Sequence, residues 1–185
     1  VMECFMNCAH KLNSGLVIIP RRIVEIGEQS LERYYEIDRS ILIGYIPINT
    51  NVARRLAKVR RLSIVVITPH SLRFVDESQV NLMHQSSERN KYIEIHMQPF
   101  LKTSLNPNTK ISVERMFYIL GNTIERALKL DVGVVVSTAS DDSRRVFSLT
   151  HIDIVLFYLG FSKRERRLII DVYPTELLLT WLNYR

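Results

Sequence analysis

The sequence predicts an α/β fold built on parallel strands, and three observations carry that prediction. Short runs rich in Ile and Val recur along the chain and are apolar almost throughout, as strands covered on both faces are. Segments with helical apolar spacing lie between them. The two kinds alternate, which sets the strands side by side with helices as crossovers.

The expected strands are residues 2–6, 16–19, 41–46, 64–68, 92–97 and 132–137. The first expected helix, 51–60, carries Val52, Leu56 and Val59 on one side and Arg54, Arg55, Lys58 and Arg61 opposite. Asp76-Glu77-Ser78-Gln79 reads as an N-cap with Gln at N3, opening a helix to about Gln85. Ser112 precedes a long helix whose apolar face is Val113, Met116, Phe117, Leu120, Ile124, Ala127 and Leu128. Ser148 caps a helix that ends at Gly160, a natural C′ residue. Ser162 caps the next, with Glu165 completing a capping box. Pro174 is expected to open the last helix, because its fixed φ and missing N–H suit a first turn. There Leu177, Leu178, Trp181 and Leu182 form one apolar stripe for docking on a core. Mobile stretches are expected at 86–90, 103–110 and 140–145.

A chain of 185 residues supports a single domain with a real core, taken here as residues 1–185. Its 46% hydrophobic and 24% charged content is ordinary for a globular protein. No stretch approaches the roughly 20 apolar residues that cross a bilayer. No charged segment followed by an apolar one opens the sequence, so no secretion signal is expected. The net charge of +6 and pI near 9.5 suit contact with nucleic acid or an acidic surface. Cys4 and Cys8 have neither the spacing of a redox pair nor that of a zinc half-site, and read as reduced core cysteines.

Two architectures compete, an open doubly wound sheet and a closed barrel. No G-x-G-x-x-G or P-loop follows any strand, which removes the best-marked doubly wound families. A full eight-fold barrel uses about 250 residues. The chain would therefore be a trimmed barrel, with six or seven strands and helices gathered toward its C-terminal end.

Strand 92–97 carries the most chemistry. Alternation puts Tyr92, Glu94, His96 and Gln98 on one face and Ile93, Ile95 and Met97 on the other. Glu94 beside His96 suits an acid–base pair or metal ligands, or else a hydrogen-bonded network filling a barrel. The remaining histidines, His10, His70, His84 and His151, are scattered, and Glu3 is the other carboxylate in an expected strand. Ser137-Thr138-Ala139-Ser140 ends a strand, where it either holds a phosphate or caps a turn. Cations fall in groups: the 51–60 helix, Arg144-Arg145, and Lys163-Arg164-Glu165-Arg166-Arg167. Lys163, Arg164 and Arg167 form a strip at i, i+1 and i+4. Arg115 and Arg126 share the polar side of the long helix with Asn122. Such runs are either solvated charge or phosphate contacts. No RNP-type aromatic motif or zinc knuckle is present, so RNA contact would follow backbone and shape.

Four segments in order resemble RNase P protein component 3, the archaeal form of a subunit also found in eukaryotic RNase P. They are Leu72-Arg73-Phe74-Val75-Asp76-Glu77-Ser78-Gln79; Tyr92-Ile93-Glu94-Ile95-His96-Met97-Gln98-Pro99-Phe100-Leu101; Val134-Val135-Val136-Ser137-Thr138-Ala139; and Tyr173-Pro174-Thr175-Glu176-Leu177-Leu178. The resemblance covers roughly the last two thirds of the chain. It departs at Arg144-Arg145-Val146-Phe147-Ser148-Leu149, which has Leu where the family commonly has Pro.

The resemblance implies a trimmed TIM-like barrel of the polymerase and histidinol phosphatase type, without that superfamily's metal ligands. It implies a cytoplasmic ribonucleoprotein, an endonuclease that removes the 5′ leader from precursor tRNA. Catalysis would belong to the RNase P RNA and its Mg²⁺ ions, with no cofactor bound by the protein. The implied partners are that RNA, RNase P component 2 in a two-fold heterotetramer, other RNase P proteins, and precursor tRNA. The expected RNA contacts are Arg54, Arg55, Lys58, Arg61, Arg73, Arg115, Arg144, Arg145, Lys163, Arg164 and Arg167. The competing reading is a metal-dependent barrel phosphohydrolase using Glu94 and His96.

Overall fold

A computed structural model describes residues 21–30, 41–59, 62–86, 90–106, 112–140 and 146–184. The expected strands at 2–6 and 16–19, with Glu3, Cys4, Cys8 and His10, lie outside these residues, as do Arg61, Arg144 and Arg145. So do residues 87–89, 107–110 and 141–145 of the stretches expected to be mobile.

Among the described residues, one parallel sheet of five strands organises the fold: β1 (Arg21–Ile26), β2 (Leu42–Pro47), β3 (Ser63–Ile67), β4 (Lys91–His96) and β5 (Gly133–Ser137). They lie in sequence order, each parallel to the next. This order never reverses, unlike that of a doubly wound sheet. Every residue of β3 and β4 is buried, which accounts for the continuous apolar run of β3, whereas β4 buries Lys91, Glu94 and His96 among its apolar residues. β1 escapes the sequence reading because, first in the order of the described strands, it has only Val24 and Ile26 buried, so its pattern alternates behind two arginines.

Helices flank the sheet. α1 (Thr50–Ala57) starts at Asn49, whose side chain accepts the Val52 N–H at 2.9 Å. It ends three residues before the expected 60, where Ser63 Oγ donates to Leu56 O at 3.1 Å. α2 (Glu77–Gln85) is capped as expected by Asp76, which accepts the Gln79 N–H at 2.9 Å. Buried Gln79 donates in turn to Ala53 O at 2.5 Å and ties α2 to α1. α3 (Met97–Leu105) corrects two expectations, since Met97 and Gln98 belong to a helix rather than a strand, and 103–105 is helical rather than mobile. Pro99 is tolerated because it sits in the first turn, where N–H groups lack intrahelical acceptors. The free Gln98 N–H finds Thr138 O, at 3.1 Å, just past β5.

α4 (Val113–Lys129) is capped by Ser112 and buries Met116, Leu120, Ile124 and Ala127, close to the expected face. α5 (Leu149–Tyr158) opens on a capping box between Ser148 and His151. It closes with Gly160 at φ 93°, where the Gly160 N–H donates to Phe157 O and the Phe161 N–H to Leu156 O. Those two bonds form a Schellman motif, and the left-handed φ is why glycine stands there.

α6 (Lys163–Arg167) carries the expected Ser162–Glu165 capping box. It does not stop before Pro174. A π-helical turn over Leu168–Val172 joins it to α7 (Tyr173–Tyr184). The Tyr173 N–H reaches back five residues to Leu168 O. The widened turn accommodates a proline ring inside a continuous helix, so Pro174 does not begin a new one. The buried seam runs Ile169, Tyr173, Leu177, Trp181, and packs against β5; Leu178 is half-buried and Leu182 exposed, a narrower stripe than expected. Among the described residues no helix is long and apolar enough to cross a membrane.

Gly133 opens β5 beneath the ring of Tyr92, and a Cβ there would lie 2.4 Å from Tyr92 Cδ1. Gly133→Ala is therefore expected to destabilise the protein by about 1–3 kcal/mol, read by denaturant unfolding. An unchanged midpoint would mean that the ring does not occupy this place.

A buried ion cluster and the candidate RNA surface

Parallel register places Tyr92, Glu94 and His96 on one face of β4, as alternation predicts, with Gly133, Val135 and Ser137 of β5 beside them. Gln98 has left that face for α3. Across the sheet, Arg21 and Ile23 of β1 share the face with Gly44 of β2, since a Cβ on Gly44 would meet Ile23, Val66 and the guanidinium of Arg21.

Glu94 is 1% exposed, and its Oε2 pairs with Arg21 Nη2. Its Oε1 lies 3.3 Å from His96 Nε2. In a flat sheet, β1 and β4 would be about 14 Å apart, three strand spacings. The contact therefore requires a strongly curled sheet. Gly44 is set by its apolar neighbours, since a Cβ there would lie 2.8 Å from Val66 Cγ2 and 2.9 Å from Ile23 Cδ1.

Burial lowers the Arg21 pKa to about 10, still charged at neutral pH. Burial, with the nearby Arg21 charge second, lowers His96 to about 4. Neutral His96 lies beside a carboxylate whose charge Arg21 already balances. Ser137 Oγ, in register with His96, is buried without a hydrogen bond. Among the described residues no three His, Cys, Asp or Glu gather as a metal-ligand group. Sequence reading placed Glu94 and His96 together but missed Arg21, whose only signal was an arginine at the head of an apolar alternation.

The cations divide by what they touch. Arg54, expected on the RNA surface, forks onto Asp76, with Nη1 and Nη2 each 2.8 Å from a carboxylate oxygen. Arg54 holds Asp76 below the usual carboxylate range and clamps α1 to α2. Arg126 donates from Nε and Nη2 to Asn81 Oδ1 at 3.2 and 2.9 Å, joining α4 to α2. Arg166 bonds Asp153 Oδ1 at 2.7 Å and Phe161 O at 2.9 Å, fixing α6 against α5. By contrast Lys58, Arg73, Arg115, Lys163, Arg164 and Arg167 are exposed, and Arg55 is exposed with an interaction of its own. Arg73 lies 4.6 Å from the centroid of Phe74, and Arg167 has Asp171 at 3.8 Å. Lys163, Arg164 and Arg115 have no acidic partner among the described residues.

Comparison with protein-family models, curated proteins and solved structures gives no match.

Arg21→Met strands a buried carboxylate and is expected to cost about 3–5 kcal/mol, while Arg21→Met with Glu94→Gln recovers much of it. Equal losses in the single and double variants, read by urea unfolding, would show that the two groups are not coupled. His96 makes stability pH-dependent in a defined direction. Its folded pKa of about 4 lies below the ordinary 6.5, so its contribution is complete above pH 6.5 and is lost as pH falls toward 4. The slope is at most about 1.4 kcal/mol per pH unit. His96→Gln, which keeps an N–H donor, should flatten unfolding free energies across this interval; an unaltered profile would assign the dependence elsewhere.

Proposed function

We propose that the chain is a protein subunit of ribonuclease P, akin to component 3, that assists the catalytic RNA in removing the 5′ leader of precursor tRNA. The observation that carries this is the separation of its cations into two populations. Arg54, Arg126 and Arg166 hold helices together, while Lys163, Arg164 and Arg167 project from α6 as an exposed strip. Exposed cations neutralise phosphates and release counterions, which favours a folded polyanion. Arg115, Lys58 and Arg73 add to the exposed set.

The ion cluster supports a non-catalytic reading. Glu94 is committed to Arg21 and His96, and acid–base or metal chemistry there would first have to displace a buried guanidinium. Mg²⁺ is then an ion of the RNA. The consecutive, curled parallel strands support the trimmed TIM-like barrel. α5 leaves Leu149, Ile154, Phe157 and Tyr158 exposed, an apolar face that we assign to RNase P component 2. The setting is a cytoplasmic ribonucleoprotein.

The triple variant Lys163→Ala, Arg164→Ala, Arg167→Ala is expected to flatten the dependence of log K on log salt for RNase P RNA binding by about 2–3. Arg54→Ala and Arg166→Ala should instead lower thermal stability and leave the slope alone. A slope unmoved by the triple variant removes α6 from the RNA surface. Precursor-tRNA cleavage by the protein stripped of nucleic acid would overturn the non-catalytic reading.

A further inference from the structure

A groove of about 470 Å³ runs between α4 and the junction of α5 with α6. Tyr118, Gly121, Asn122 and Glu125 fall at i, i+3, i+4 and i+7 on α4 and line one wall. Tyr158, at the end of α5, and Glu165, on α6, line the other. Buried Phe161 and half-buried Phe117 form its floor. Tyr118 is 69% exposed and Tyr158 82%, so each wall presents an aromatic ring to solvent.

Gly121 marks this as more than a gap between helices. Glycine in a helix interior is destabilising relative to alanine. A Cβ at this position would meet no atom within 4 Å, and the backbone is not left-handed, so no packing among the described residues requires glycine here. The bare backbone lets a flat group lie directly on α4. Asn122, beside it, makes no hydrogen bond among the described residues, so its amide has both donor and acceptor to offer.

Charge decides the class of ligand. Glu125 is held by Lys129 at 2.5 Å, and Glu165 accepts the Ser162 N–H at 2.7 Å. These carboxylates bar a phosphate from the groove itself. Exposed cations stand at its rim: Arg115 one turn before Tyr118, and Lys163 and Arg164 between Phe161 and Glu165 in the chain. A ligand that is flat, neutral and polar-edged inside, with anions outside, has the character of a nucleotide. An apolar helix from a protein partner would instead cover the Asn122 amide without satisfying it.

We propose that this groove takes an unpaired nucleobase of an RNA strand, stacked on Tyr118 and Tyr158 over Gly121, with Asn122 bonding its edge and Arg115, Lys163 and Arg164 holding the flanking phosphates. Stacking on exposed aromatics beside cations is how single strands are held. The inference rests on the RNA reading above and adds that the site selects unpaired RNA, because a base must leave its duplex to stack. It also adds a base contact to the backbone-and-shape recognition expected from the sequence, since the two rings come from separate helices. Tyr158 stands where this groove meets the apolar face assigned to component 2, so the test uses the chain alone.

Fluorescence anisotropy of the full chain with a short unstructured RNA of mixed sequence, and with the duplex formed from it and its complement, tests the proposal. Tyr118→Ala and Tyr158→Ala are each expected to weaken single-strand binding about tenfold and to leave duplex binding unchanged. Tyr118→Phe and Tyr158→Phe keep the rings and should bind like the native chain. Gly121→Leu fills the groove without a clash, so it should keep the thermal midpoint and lose single-strand affinity. The α6 triple variant should weaken both RNAs. Tyrosine variants that bind the single strand like the native chain, while the α6 variant loses both RNAs, overturn this proposal, leave the RNA reading standing and turn the groove over to a protein partner. Equal losses on both RNAs also overturn it. Binding of neither RNA by the native chain overturns the RNA reading and this inference together.

Discussion

The pairing of Arg21 with Glu94 organises the rest of the structure. Glu94 lies in the most buried part of the sheet, and a carboxylate there is tolerated only if its charge is met locally. The cation that meets it comes from β1, three strands away in the described order. That demand goes with a curled sheet and leaves His96 neutral beside a charge already balanced. One electrostatic requirement thus links the curvature of the sheet, the composition of its polar face and a pH-dependent term in stability.

The outer surface obeys a related rule. An arginine that finds an acid or amide on a neighbouring helix becomes a fastener, and its charge is no longer on offer to a ligand. Arg54 and Arg166 behave this way because Asp76 and Asp153 stand within reach, on α2 and α5. Lys163 and Arg164, in the same run as Arg166, remain exposed. Adjacent residues of one charged cluster therefore serve different ends, and a change at Arg166 tests stability whereas a change at Arg164 tests binding.

Local chemistry was readable in the chain where the deciding atoms lie within a few residues of each other. The caps at Asp76, Ser112, Ser148 and Ser162 form as the side-chain spacing indicates, and Gly160 ends its helix with a positive φ. Four of the strands were legible because burial on both faces or nearly so favours runs rich in Ile and Val, interrupted in β4 by Glu94 and His96. Pro174 was misleading because a π turn upstream, invisible to periodicity, absorbs the ring inside a continuous helix. Of the candidate RNA contacts, cationic character was legible, but whether each cation was free was not, since that depends on an acid 13 to 22 residues away.

Taken alone, the sequence determined the α/β class, the helix starts and the shared face of Glu94 and His96, because periodicity and capping act over less than two turns or along one strand. Tertiary structure decided that β1 joins the sheet, that Arg21 balances Glu94, and which arginines are fasteners. Each of these rests on groups brought together by chain folding, and their energies depend on burial and distance that no local pattern encodes.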